Sequence, residues 1–93
     1  MSHNTILKLI EEAEAILESN PPGPNPEAIR ELQTVAHALL TASGNNGVID
    51  QKCSSMMEFG TIGYAPRARR SHSREDALHF VRHDLASMKI HTR

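Results

Sequence analysis

The residues best suited to binding chemistry lie between positions 66 and 76, in the segment PRARRSHSRED. Guanidinium groups present a rigid fork of donors that suits phosphate and carboxylate groups. The free N–H groups at the start of a following helix would add to such a site, and Tyr64 could stack on a base. The pattern predicts a site for a small anionic, nucleotide-like ligand, held within one chain or between protomers. Its predicted residues are Tyr64, Arg67, Arg69, Arg70 and Arg74, with His72 beside them.

Other features of this stretch argue against such a site. Glu75 and Asp76 occupy the positive end of the next predicted helix, where they would repel an anion. The chain has neither a glycine-rich phosphate loop nor a Walker-type lysine. Two further interpretations therefore stay open. Residues 60–72 could form a mobile basic loop, solvated or paired with the acidic first helix, or they could contact an acidic protein partner.

Catalytic and metal chemistry have weaker support. His79 and His83 are four residues apart, so they share one helix face and could hold zinc from one side. At about 100° per residue, however, they point away from the apolar stripe of their own helix. Cys53 lacks the flanking signature of a cysteine enzyme and is expected to be a small buried thiol. We therefore expect no catalytic residues, no metal and no cofactor.

Charge and cysteine content limit the class of protein. The formal net charge is -1, which favours neither nucleic acid nor a membrane as a partner. Residues 1–47 carry -4 and residues 48–93 carry +3, a division that suits pairing with a second copy. Cys53 has no second cysteine to pair with, no apolar run approaches about 18–20 residues, and the start lacks signal-peptide features. We expect a cytoplasmic protein.

Helical periodicity dominates the chain. Apolar residues recur at helical spacing in "NTILKLIEEAEAILESN", from Ile6 to Leu17. A second helix is predicted to start at Asn25 and Pro26, after "PPGPNP", and to run to about residue 43, with Gly44 as its stop. A short third helix is expected between Asp50 and Gly60. The fourth is predicted from Ser73, its cap, to about residue 90.

These elements predict an all-α fold in which residues 1–93 form one small helical bundle: a hairpin of two helices, a short helix, a basic loop and a last helix. Few aromatic residues are available for the core, and Leu7 and Phe80 lie off the apolar stripes, so we expect a dimer or higher oligomer. Arg30 is the only basic residue of the second helix, which argues against DNA binding. The function expected is non-enzymatic: regulation or inhibition of a partner protein through helical faces and the basic loop. The alternative is a binding or sequestering protein for a small anionic ligand.

Overall fold

The structure, a computed structural model, describes residues 3–44 and 46–92. Within these ranges the chain forms helices and no strand, so the predicted all-α class is confirmed. The helices are α1 (His3–Ser19), α2 (Pro26–Ser43), α3 (Gly47–Gly63) and α4 (Arg74–Thr92). None of them is long and apolar enough to cross a membrane.

The helices are arranged as a square in cross-section. Each packs against two others, in the pairs α1–α2, α2–α3, α3–α4 and α1–α4, while the diagonal pairs do not approach among the described residues. Short connections make successive helices antiparallel. The seam between α1 and α2 therefore lies on the opposite side of the bundle from the seam between α3 and α4.

The apolar stripes predicted from periodicity form most of the core. Leu40, which the spacing also assigns to the α2 stripe, is instead 42% exposed. The buried stripe residues are Ile6, Ile10, Ala13 and Leu17 of α1, Leu32, Val35, Ala36 and Leu39 of α2, and Leu78, Val81, Leu85 and Met88 of α4.

Both predicted ends of α2 and the predicted start of α4 are also confirmed, while α4 runs two residues beyond its predicted end near residue 90, to Thr92. The Asn25 side chain accepts a hydrogen bond from the Ala28 backbone N–H at 3.0 Å, and Gly44 ends α2 in the left-handed conformation with φ 59°. The Ser73 hydroxyl accepts a hydrogen bond from the Asp76 backbone N–H at 3.0 Å. These caps fix both ends of α2 and the point at which the chain enters α4.

The predicted bounds of the third helix are wrong at both ends. It begins at Gly47, three residues before Asp50, because the Asn46 side chain accepts hydrogen bonds from the backbone N–H groups of Val48 and Ile49. At the other end it continues through Gly60 to Gly63. The basic loop predicted over residues 60–72 is therefore shorter, and the connection between α3 and α4 covers residues 64–73.

Close packing explains why two glycines lie inside this helix. A Cβ atom at Gly60 would lie 3.0 Å from Leu32 Cδ1 of α2, and one at Gly63 would lie 2.3 Å from Leu78 Cδ2 of α4. Ordinary carbon contacts are about 3.5–4.0 Å. The missing side chains let α3 approach its two neighbours. Gly60 therefore marks a contact with α2 rather than the predicted helix end, and Gly63, the last residue of α3, marks a contact with α4.

Candidate functional site

The connection between α3 and α4 starts inside the protein. Tyr64 is fully buried, and its hydroxyl donates a hydrogen bond to the Asn20 carbonyl oxygen at 2.7 Å. Burial raises the pKa of the Tyr64 hydroxyl, an effect that the positive charge of Arg82 opposes. The ring has no exposed face, so the stacking role predicted for Tyr64 is wrong. Its role in this structure is to attach the connection to the end of α1.

Backbone and side-chain hydrogen bonds secure the two ends of the connection. In the link between α1 and α2, the Gly23 N–H donates to the Gly63 carbonyl at 3.2 Å and the Asn25 N–H donates to the Tyr64 carbonyl at 3.0 Å. At the far end, the Arg74 guanidinium donates to the Ala65 carbonyl oxygen. Two of the five residues predicted to bind an anion, Tyr64 and Arg74, thus have partners within the fold.

Between these anchors the chain lies at the surface; we call residues 66–72 the basic segment. The side chains of Arg67, Arg69 and Arg70 are exposed. The ion pairs found among the described residues use other cations: Arg30 with Glu27, Lys52 with Asp84, and Lys89 with Glu14. The acidic helix α1 therefore pairs with Lys89 of α4, and no ion pair between α1 and the basic segment is found in the part of the chain that the structure describes.

The last residue of the basic segment, His72, packs against two phenylalanine rings, and we call Phe59, His72 and Phe80 the ring cluster. The ring centroids of Phe59 and Phe80 are 4.8 Å apart, and His72 meets Phe59 edge-on at 5.3 Å and Phe80 at 6.1 Å. Such distances are typical of favourable aromatic pairs. The contact holds the C-terminal end of the basic segment against α3 and α4. Because Phe80 is 44% exposed, apolar ring surface faces solvent beside His72, the residue that ends the basic segment.

The other candidate groups lie elsewhere. His79 and His83 are exposed on the outer face of α4, and among the described residues no group of three or more His, Cys, Asp or Glu could hold a metal ion. Cys53 is buried, as predicted, with its Sγ 3.9 Å from Met88 Sδ. Burial, followed by the negative charges of Asp50 and Asp84, raises the pKa of the Cys53 thiol to about 11. This thiol is protonated at neutral pH, the form that is a poor nucleophile.

No arginine of the basic segment lines any of three surface cavities formed by the described residues. One of about 390 Å³ lies between α1 and α4 beside Glu11 and Arg82. Another of about 390 Å³ lies between α1 and α2. One of about 270 Å³ lies at the end of the bundle, beside Gly44, Asn46 and His91. The basic segment therefore offers exposed cations outside these cavities, an arrangement better suited to a flat surface than to enclosing a small molecule.

Sequence reasoning missed the ring cluster. Phe80 was recognisable as an aromatic residue off the apolar stripe of its helix, which was the available signal. In the sequence, Phe59 lies just before the predicted end of the third helix, and His72 lies beside the predicted anion site in the basic loop, so neither position predicts a contact between the two rings. The three rings meet only because α3 extends to Gly63 and packs closely against α4, a tertiary contact that spacing along the chain does not reveal.

The fold and surface together define a small antiparallel four-helix bundle whose third connection presents three exposed arginines beside aromatic rings. Comparisons of the chain with protein-family models, with curated proteins and with solved structures gave no match.

Proposed function

We propose that this protein is a non-enzymatic binding protein that regulates or inhibits a partner protein through the basic segment and the ring cluster. The observation that supports this proposal is the set of three exposed arginines, Arg67, Arg69 and Arg70, which take part in none of the ion pairs of the described chain. They precede His72 in the same segment, and the His72 ring meets the half-exposed ring of Phe80. Arginine and aromatic residues are enriched in protein interfaces and in their energetic hot spots.

The chemistry of this surface favours a partner with a particular pattern. The three guanidinium groups favour carboxylates, each able to accept two parallel hydrogen bonds from one arginine. The exposed face of Phe80 favours an aliphatic or aromatic side chain that would be removed from water on binding. We therefore expect an acidic protein surface or segment that carries one apolar anchor residue.

The contrast between bonded and exposed residues of the connection also supports this proposal. Tyr64 and Arg74 make hydrogen bonds inside the fold, whereas the three arginines between them make none of those described above. Exposed arginines that contribute little to the fold are free to meet a partner without loss of internal contacts. Binding a partner through these arginines then requires no internal hydrogen bond of the connection to be broken.

Binding of a small anion is the second candidate, supported by the same three arginines. With Tyr64 buried and Arg74 bonded to the Ala65 carbonyl, only three of the five predicted ligand residues remain available. Thermal unfolding in the presence of inorganic phosphate and of a nucleoside triphosphate separates the two functions. A specific ligand stabilises the folded state by RT ln(1 + [L]/Kd). Our proposal predicts that these compounds change the melting temperatures of the wild type and of Arg69→Ala/Arg70→Ala in the same way. A rise in the wild type that is absent in the variant would instead support anion binding.

Site-specific photo-cross-linking tests the proposed surface directly. A photoreactive phenylalanine analogue is placed at Phe80 of α4. The matched control places it at Val48, which is 38% exposed and lies at the start of α3, far along that helix from Phe59. In cells of the source organism, we expect the probe at position 80 to cross-link one or a few defined proteins that the probe at position 48 does not. Equal cross-linking at both positions, or none at position 80, would contradict the proposal.

A further inference from the structure

A second surface of the bundle has the opposite chemistry to the basic segment. Between α1 and α2 lies a groove of about 390 Å³; we call it the α1–α2 groove. Ala15, Ile16 and Val35 contribute its apolar lining, and Glu12 of α1 and Glu31 of α2 line it as well. Both glutamates are exposed, and neither takes part in the ion pairs found among the described residues.

The occupant that fits this groove needs an apolar side chain with cations on its flanks. Burying the apolar side chain would remove it and the groove lining from water, and the cations would meet the two carboxylates. The same chain carries this pattern elsewhere: the half-exposed ring of Phe80 contacts His72, which follows the exposed Arg69 and Arg70 by two or three residues. The two surfaces are complementary in both charge and hydrophobicity.

One copy of the chain cannot bring these two surfaces together. The groove lies on the α1–α2 seam, while the ring cluster joins α3 to α4 on the opposite seam of the square. We infer that the α1–α2 groove binds the basic segment and Phe80 of a second copy of this chain, in a head-to-tail contact. The charge division of the sequence, -4 in the first half and +3 in the second, has the sign that this contact requires.

A head-to-tail contact has a consequence that a two-fold dimer lacks. Each copy that docks its basic segment still has an empty groove, so assembly continues into a ring or an open chain. The inference rests on the proposed function in that it uses the same basic segment. It adds a form of regulation: self-assembly covers the partner-binding surface, so a rising concentration of the protein lowers the fraction that is free to bind its partner.

Sedimentation velocity over a series of protein concentrations at low salt tests the contact. We expect the wild-type chain to form species larger than a dimer as concentration rises, and added salt to reverse this because the contact is charged. Reversing the groove charges with Glu12→Lys/Glu31→Lys should weaken association at least tenfold, about 1.4 kcal/mol. The matched control is Glu11→Lys/Glu18→Lys, which makes the same charge change on the α1–α4 side and should associate like the wild type.

A mixing experiment then tests the pairing of the two surfaces. The variant Arg69→Glu/Arg70→Glu reverses the basic segment and should also fail to associate alone, since its acidic segment meets an acidic groove. Mixed with Glu12→Lys/Glu31→Lys, however, each reversed surface finds an opposite charge on the other protein. We expect the mixture to assemble although neither variant does so alone. All four positions are exposed, and circular dichroism checks that each variant is folded.

Several results would overturn the inference. A wild-type chain that stays monomeric at every concentration would leave the groove to a different protein, and an oligomer unaffected by the groove variant would use another surface. Failure of the mixture to assemble would contradict the pairing itself. The proposed function fails separately: the groove variant keeps its basic segment, so partner binding should survive in it and be lost in Arg69→Glu/Arg70→Glu.

Discussion

Replacing Tyr64 by phenylalanine tests the distinction between the anchored and the free parts of the α3–α4 connection. The hydroxyl of this fully buried side chain donates a hydrogen bond of 2.7 Å to the Asn20 carbonyl oxygen, across 44 positions of sequence. Phenylalanine keeps the ring and its packing but removes this donor. The substitution therefore isolates a single hydrogen bond between α1 and the connection.

The expected cost follows from what is left behind. A typical intramolecular hydrogen bond contributes about 0.5–1.5 kcal/mol, and an acceptor left unpaired in the interior costs about 1–3 kcal/mol. Asn20 is only half-buried, so water can partly replace the lost donor. We expect Tyr64→Phe to lower the free energy of unfolding by about 1–2 kcal/mol. In a domain of this size each kcal/mol lowers the melting temperature by about 4–8 °C.

Chemical denaturation followed by circular dichroism measures this loss, with Arg69→Ala/Arg70→Ala as the comparison. Both arginines are exposed and take part in none of the ion pairs described, so each replacement should change stability by no more than about 0.5 kcal/mol. A stable Tyr64→Phe together with a destabilised arginine variant would refute the reasoning, because the connection would then be held by its arginines and not by its buried anchors.

Three further predictions concern the packing and chemistry that hold the surface in place. Gly63→Ala should lower stability by about 1–3 kcal/mol, since its Cβ would lie 2.3 Å from Leu78 Cδ2, whereas Gly47→Ala, with nothing within 4 Å, should not; urea denaturation of both variants checks this. Cys53 should react with alkylating reagents only after unfolding. The pKa of its thiol is 9.0 when free and about 11 when folded, so between these pH values the unfolded chain loses the thiol proton first. The free energy of unfolding should therefore fall over this pH range, and less steeply in Cys53→Ala. Removing the α4 cap with Ser73→Ala should cost about 1 kcal/mol, measurable by the same denaturation method; an unchanged midpoint would show that the cap does not contribute.

Helices α1, α2 and α4 could be predicted from the sequence because their caps, stops and apolar spacing act between residues close together in the chain. The caps Asn25 and Ser73 and the stop Gly44 act within one turn of the residues they bond or end. Apolar spacing fixed which faces of α1, α2 and α4 are buried, because one amphipathic stripe on each faces a single core. These features depend little on the rest of the fold.

The third helix and the candidate site depend on tertiary contacts, which is why spacing alone placed them wrongly. Gly60 has the character of a helix stop, but close packing against Leu32 keeps it inside α3. Tyr64 follows glycine and precedes a basic run, which suggested a surface residue. Its burial depends on the link between α1 and α2, whose Asn25 N–H bonds to the Tyr64 carbonyl. The sequence predicts that the arginines form a basic surface. It does not reveal that Arg74 bonds to the Ala65 carbonyl while the arginines of residues 67–70 stay exposed.

Affinity capture from cells of the source organism, with proteins quantified by mass spectrometry, tests the central claim most directly. Wild-type protein, Arg69→Glu/Arg70→Glu and Glu12→Lys/Glu31→Lys are compared as baits. We expect at least one protein to be retained by both the wild type and the groove variant. The arginine variant should retain at least tenfold less of that protein, which corresponds to about 1.4 kcal/mol of binding free energy. An identical set of proteins retained by all three baits would contradict the proposal that the basic segment is the partner-binding surface.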